Sequence, residues 1–464
     1  MTEIFDVVVV GAGSTGTNIA WYARDNDLSV AVVERQLVGG ECSYWACVPS
    51  KAMISPPDAL AAAQRIPGAA QAVTGHLDVH AVFERRTTWT RGWDDAKEAA
   101  WIDGIGARLV RGVGRLVGER RVDVHSDDGE VVALEARRAV VIATGSRPSD
   151  PPVEGLDAVQ AWDNRDATSA DRVPGHLVVL GGGAVACEMA QAYRRFGADV
   201  TVLQRSSRLL SNAEPFVGEL VGRAFEGEGI DVRTGTSAAA VARDGSDGTV
   251  SVTTDGGDQV RGDELLVALG RTPRTEGIGL ESVGLSPGGA LEVDDRLRVA
   301  GVDGGWLYAA GDVNGRALVT HQGKYQARLV GDIVAGRDVE AYADKRAVPH
   351  VVFTDPQVAQ VGLTEYAALN AGMDVRIAEA DPTAVTGGAL HEQDLGGAKL
   401  VIDDLRDVVV GATFVGPMVG EVLHAATIAI IGEVPVERLW HAVPAFPTVS
   451  EVWLRLLEAD RGIS

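Results

Sequence analysis

Asp6-Val-Val-Val-Val10-Gly11-Ala-Gly13-Ser-Thr-Gly16-Thr-Asn-Ile-Ala20 reads as an apolar strand, a glycine turn and the opening of a helix. A run of β-branched residues with no polar alternation suits a strand of a parallel sheet covered on both faces. The three glycines have separate tasks. The first permits the tight turn, the second lets backbone approach a pyrophosphate, and the third lets the helix pack close to the strand. The phosphates then meet the helix N-terminus. A second apolar run, Val30–Glu34, ends in an acid 21 residues after Gly13, where a carboxylate can bind a ribose hydroxyl.

The layout recurs. Gly181-Gly-Gly183-Ala-Val-Ala186 follows the apolar Leu177–Leu180, and Gln204 stands 21 residues after Gly183. Two nucleotide sites are implied. An acid at the ribose position favours NAD, whereas Gln204-Arg205 with Arg208 nearby can accommodate a 2′-phosphate, so NADPH is favoured and NADH stays possible. The plainer reading of these arginines is solvated surface charge. Further apolar runs at Ala139–Ala143, Val200–Leu203, Glu264–Leu269 and Leu307–Ala310, with helix-compatible stretches at Gly16–Arg24 and Val185–Phe196, make βαβ units the economical reading. The fold class is α/β.

A length of 464 residues suits about three domains at roughly 150 residues each. With 42 Lys and Arg against 65 Asp and Glu, the net charge of −23 repels phosphate backbones and anionic lipid, so neither nucleic acid nor a membrane is expected as a partner. The chain is 46% apolar with 56 glycines, a globular composition. The stretch Met1–Asp6 has no basic n-region, and no apolar run reaches the roughly 20 residues of a membrane span, so a cytoplasmic location is expected.

Three cysteines cannot form a secreted-type disulfide scaffold. Two of them lie in Gly39-Gly40-Glu41-Cys42-Ser-Tyr44-Trp45-Ala-Cys47-Val-Pro49-Ser-Lys51. On a straight helix their Cα atoms would be about 8–9 Å apart, and a disulfide needs less than about 7 Å. Pro49 cannot donate to the carbonyl of Trp45 and crowds it, which bends or unwinds the helix near Cys47 and makes a Cys42–Cys47 bridge feasible. Two inert buried thiols are the alternative. A structural metal would need about four ligands, and the remaining Cys187 belongs to a nucleotide motif, so no metal is expected. Lys51 can favour a thiolate, contact an electron-rich ring, or be an ordinary surface lysine. Tyr44 and Trp45 either flatten a pocket for a planar molecule or pack in the core.

Together with Ala143-Thr144-Gly145-Ser146, Gly270-Arg-Thr-Pro273, Tyr308-Ala-Ala-Gly311-Asp312, Val352-Phe-Thr-Asp-Pro356 and Val361-Gly-Leu-Thr364, these motifs run nearly the whole chain. In that order they resemble the pyridine nucleotide-disulfide oxidoreductases, the flavoproteins that include lipoamide dehydrogenase, glutathione reductase and mercuric reductase. The resemblance implies two Rossmann-like dinucleotide-binding domains and an α+β C-terminal dimerisation domain. The FAD domain would take residues 1–148 and 272–345, the NAD(P)H domain 149–271, and the interface domain of a homodimer 346–464. FAD would lie against Gly11, Gly13, Gly16, Glu34, Gly40, Lys51, Gly114, Thr144, Gly145, Ser146, Gly311 and Asp312. NADPH would lie against Gly181, Gly183, Ala186, Glu188, Arg205, Arg208 and Gly270. Electrons would pass from nicotinamide to flavin to the disulfide, with Cys47 facing the flavin and Cys42 facing substrate. Lys51 and Glu188 match a lysine–glutamate pair beside the flavin N5.

One departure limits the acceptor. The family's disulfide reductases carry His-Pro-Thr and then Glu near the C-terminus, and the His–Glu pair exchanges protons with the substrate thiol. Here the chain reads Ala445-Phe446-Pro-Thr-Val-Ser-Glu451. Phenylalanine moves no proton, and general acid–base work is worth about 10²–10⁴ in rate. Glu451 completes the candidate catalytic set, and His441 has no spacing argument for replacing the imidazole. A small disulfide, a quinone-like molecule or a metal species is the expected acceptor. Two alternatives stand beside this reading: a quinone diaphorase that does not use the dithiol, and a binding protein that responds to flavin and nucleotide.

Overall fold

The computed structural model describes residues 2–245 and 248–463. The elements that carry the site are, in chain order, β1 (Glu3–Val10), α1 (Ser14–Asp25), β2 (Val30–Glu34), α2 (Gly40–Tyr44), α3 (Cys47–Arg65), β3 (Val131–Ile142), β4 (His176–Leu180), α4 (Ala184–Arg195), β5 (Asp199–Gln204), β6 (Leu307–Ala309) and α5 (Thr320–Val334). They fall into two compact units. The first comprises residues 1–49, 86–149 and 270–345, and the second 50–85, 150–269 and 346–464.

In the first unit, β1 pairs in parallel with β2 on one side and β3 on the other. The alternate valines of β1 face two cores. Val7 and Val9 pack with Ile19, Ala20 and Val330, whereas Val8 and Val10 pack with Val122, Leu134 and Leu280. Each such valine contributes about 1.5–3 kcal/mol by burial, which explains why the run carries no polar residue.

The sheet is parallel along the apolar runs expected to form it, and its antiparallel part lies outside those runs. The first part of β3 pairs antiparallel with residues 121–125, which pair antiparallel with 113–118, while its last three residues pair in parallel with β6. The burial pattern supplies the reason. Exposed and buried residues interleave over 131–138 in β3, and all four residues of 139–142 are buried. A half-wet stretch suits an antiparallel meander, and a fully covered stretch suits a parallel ladder.

The second unit holds a four-stranded parallel sheet in the order 231–234, β5, β4, 264–267. Helix α4 lies against it, with every residue from Ala186 to Tyr193 buried. Strands 238–243, 250–254 and 259–262 form a three-stranded antiparallel sheet, and a five-stranded sheet with strands between 350 and 416 packs against helices 419–431 and 452–460. The strand expected at Glu264–Leu269 ends at Val267. Among the described residues, no helix is long and apolar enough to cross a membrane.

Candidate redox site

The first glycine turn is built as its sequence requires. Gly11 has φ +106°, and a Cβ on Gly16 would stand 1.8 Å from the carbonyl oxygen of Gly11, so helix and turn meet with no room for a side chain. At Gly13 a Cβ would meet nothing within 4 Å. Gly13 caps the N-terminus of α1 without any side-chain hydrogen bond, leaving first-turn N–H groups for an anionic ligand. Glu34 closes the cradle at the end of β2. Its Oε2 accepts the Ala12 N–H at 2.8 Å and its Oε1 accepts the Gln36 N–H at 2.7 Å, and each oxygen keeps a lone pair for a hydroxyl. These residues fit a dinucleotide pyrophosphate and ribose.

The cysteine segment lies directly against this cradle. Gly39 bridges to Gly13, the Gly39 N–H donates to the Ala12 carbonyl at 2.8 Å, and a Cβ on Gly40 would stand 2.8 Å from the Gly13 Cα. The helix breaks at Trp45, so Cys42 sits on α2 and Cys47 is the first residue of α3. Pro49 occupies the first turn of α3, where no backbone donor is needed. Cys42 and Cys47 are both thiols, hydrogen-bonded to each other. That bond and burial push the Cys42 thiol well above the ordinary range, against an opposing hydrogen bond from Thr320 and the charge of Lys324. Cys47 Sγ also lies 3.3 Å from the Thr320 hydroxyl at the start of α5.

Around the same turn, the Thr144 hydroxyl donates to the Arg274 carbonyl at 2.6 Å, and Gly145 has φ +71° with open space where a Cβ would stand. Ser146 donates to Asp312 at 2.5 Å and accepts from Arg271 Nε at 2.7 Å. Gly311 packs beside Thr15, and its N–H donates to Gln326 at 2.7 Å. Gly114 is buried in strand 113–118, where a Cβ would stand 3.1 Å from Val10 and Val33 methyls. Tyr44 is buried in the core and reaches Glu98 at 3.3 Å, whereas Trp45 is partly exposed beside it.

In the second unit, Lys51 Nζ meets Glu188 Oε2 at 2.6 Å, and Glu188 Oε1 accepts the Phe353 N–H at 3.0 Å. The Phe353 ring lies under the ammonium at 4.8 Å. Glu188 is on α4, which opens from the second glycine turn. Gly181 has φ +113°, a Cβ on Gly183 would meet nothing within 4 Å, and Ala186 is fully buried. Gln204 Nε2 donates to the Arg208 carbonyl at 3.3 Å, and Arg208 Nη2 donates to the Ser211 carbonyl at 3.1 Å. Arg205 is exposed, and the buried Nε of Arg208 has no hydrogen-bond partner among the described residues. Gly270 opens the last segment of the first unit, with φ +132°.

At the C-terminus Phe446 is 72% exposed and His441 is exposed. Glu451 is buried. Its Oε1 pairs with Arg455 at 2.8 Å, and its Oε2 has no hydrogen-bond partner among the described residues. An arginine one helical turn along has thus become the charged partner of this carboxylate. Sequence gives no role to Thr320 or Lys324, and Arg271 and Phe353 enter it only as members of the motifs at 270–273 and 352–356. Thr320 and Lys324 sit in no glycine or cysteine motif, and the contribution of Phe353 is a main-chain N–H, which any residue but proline supplies.

The family model described as pyridine nucleotide-disulphide oxidoreductase matches residues 5–327, and the model of that family's dimerisation domain matches 348–456. The mercuric reductase of Streptomyces lividans is 34% identical, over 94% of this chain and 93% of that protein. Dihydrolipoyl dehydrogenase 3 of Pseudomonas aeruginosa is 32% identical, over 97% of each. The crystal structure of LpdA from Mycobacterium tuberculosis superposes with a TM-score of 0.87 at 26% identity, covering 99% of both chains.

Proposed function

This chain belongs to the pyridine nucleotide-disulphide oxidoreductase family, and on that premise we propose that it carries electrons from NADPH through FAD to the Cys42–Cys47 couple. From there they pass to an acceptor that needs no imidazole: a small disulfide, a quinone-like molecule or a metal ion. The observation that carries this reading is the contact of the cysteine segment with the first glycine cradle, where Gly39 and Gly40 lie on Ala12 and Gly13. FAD in that cradle would accept hydride equivalents from the nicotinamide and pass two electrons to sulfur.

The chain's own groups divide the remaining work. Gly13 and the uncapped N-terminus of α1 bind the pyrophosphate, and Glu34 binds the adenosine ribose. Asp312, with Ser146 behind it, orients the ribityl chain. Two electrons arriving at the Cys42–Cys47 disulfide would break its S–S bond and leave Cys47 as the thiolate facing the flavin, and one proton taken up would leave Cys42 as the thiol that meets the acceptor. Lys51 presents an ammonium where negative charge accumulates, and Glu188 compensates the burial of that ammonium. Gln204, Arg205 and the unsatisfied Arg208 Nε support a 2′-phosphate rather than a bare ribose. The missing C-terminal imidazole argues against lipoamide or glutathione as substrate. The dimerisation domain supports a homodimer.

Anaerobic titration with NADPH tests this reading. A long-wavelength absorption band is expected, and Cys47→Ser should abolish it with the flavin retained. Turnover unaffected by replacement of both cysteines would instead favour a diaphorase.

A further inference from the structure

Helices α3 and α4 carry a second charged rung seven residues beyond the first. Lys51 pairs with Glu188 at 2.6 Å, and Asp58 pairs with Arg195 at 2.6 Å, with the charges exchanged between the helices. Seven residues are close to two helical turns, so both rungs lie on the same face of each helix.

The far rung is much more elaborate than a surface ion pair. Arg195 also donates to Glu228 from Nε at 3.0 Å and Nη2 at 2.6 Å, and to Asp355 from Nη2 at 2.7 Å. Arg65 reaches the same Asp355 oxygen at 2.5 Å. The Arg195 side chain is 11% exposed and that of Asp355 is 10%. Between the rungs, Gln191 accepts the Asp355 N–H at 2.8 Å and donates to the Asp355 carbonyl at 3.0 Å. Segment 353–355 is therefore docked on α4 by Glu188, Gln191 and Arg195, and it is this segment that supplies the Phe353 N–H to Glu188.

We propose that Arg195 is a positioning residue for flavin reduction. By clamping Asp58 of α3 and Asp355 of the 353–355 segment onto α4, it fixes the register that holds Lys51 on Glu188. This rests on the proposed use of the Lys51–Glu188 pair. A guanidinium is suited to the task because its planar fork satisfies three carboxylates at once, which an ammonium cannot do with the same geometry. The groups facing Asp58 are Arg195, Asp355, Glu228 and Arg65, three carboxylates in all against two guanidiniums. The cluster has one excess negative charge, and burial pushes the Asp58 carboxyl up to about 7.

Arg195→Lys keeps the charge and loses the fork, and Asp58→Asn keeps the shape and loses the charge. Two readouts at pH 8 test the clamp. The first is the rate of acylation of the Lys51 amine in the flavin-free protein, followed by peptide mapping. The second is the anaerobic rate of flavin reduction by NADPH, measured alone and in a Glu188→Gln background. The expected result is several-fold faster Lys51 labelling, reduction slowed by about 10-fold or more at unchanged NADPH affinity, and little additional loss in Glu188→Gln. Either variant suffices if the other does not fold. Unchanged Lys51 labelling, or losses that simply add to that of Glu188→Gln, would overturn the clamp. Wild-type reduction by Glu188→Gln alone would overturn the use of the pair instead, and Lys51 labelling separates that failure from failure of the clamp.

Discussion

At the residue scale, the glycines of the first turn make opposite demands. Gly13 has φ −66° and open space where a Cβ would stand. Gly13→Ala should therefore leave the flavin-free protein as stable as the wild type, or up to about 1 kcal/mol more so, while weakening flavin binding. Gly16→Ala drives a methyl to 1.8 Å from a backbone oxygen and should lower the melting temperature even without cofactor. Thermal melting and flavin titration of the two variants check this; equal behaviour would contradict the cradle. Arg205 bears on nucleotide choice. A charge-assisted hydrogen bond is worth about 1.5–3 kcal/mol, so Arg205→Ala should reduce kcat/KM for NADPH roughly 10- to 150-fold and leave NADH nearly unaffected. Steady-state kinetics with both nucleotides decides it. The sequence marks the glycines and cysteines because backbone geometry and sulfur chemistry restrict them to one residue type. It does not mark Thr320 or Lys324, whose task at the dithiol depends on where α5 begins.

At the element scale, α3 and α4 show where reading a single chain stops. The strands and helices around both glycine turns are legible, since continuous burial leaves continuous apolar runs. The antiparallel half of β3 is less so, because its alternation adjoins a fully buried stretch in one 12-residue strand. The break between α2 and α3 follows from Pro49 and the cysteine spacing, whereas Pro56 and Pro57 lie within α3 without ending it. The Lys51–Glu188 rung is reached in sequence only through the family resemblance, and the Asp58–Arg195 rung is invisible there because its partners are 137 residues apart. That rung has a stability signature. Burial raises the folded-state pKa of Asp58 from 3.8 to about 7, so the folded protein holds this proton more tightly than the unfolded chain. The resulting stabilisation is complete below about pH 4 and is lost as the pH rises through about 7. The amide of the Asp58→Asn variant cannot titrate, so the wild type should lose stability relative to that variant across the same window. Denaturant melts at pH 5 and 8 measure the difference; a constant offset would contradict it.

At the scale of the whole molecule, two cofactor cradles and a dimerisation domain lie on one acidic chain, and the question is what electrons finally reach. Ile428, Val443 and Phe446 are 58%, 88% and 72% exposed in a single chain, and all three lie within the part matched to the dimerisation domain. Ile428→Glu should shift the protein from dimer to monomer in sedimentation, and an unchanged dimer would contradict that assignment of the surface. The acceptor is not legible from residues alone, because a phenylalanine, Phe446, stands where the resemblance leads one to expect an imidazole, and nothing in one chain's sequence replaces it. On the proposed path, a sulfur couple stores electrons beyond those held by the flavin. Anaerobic reductive titration counts them. The holoprotein should take up twice as many electrons per flavin as its Cys47→Ser variant, and equal uptake by the two would contradict the account.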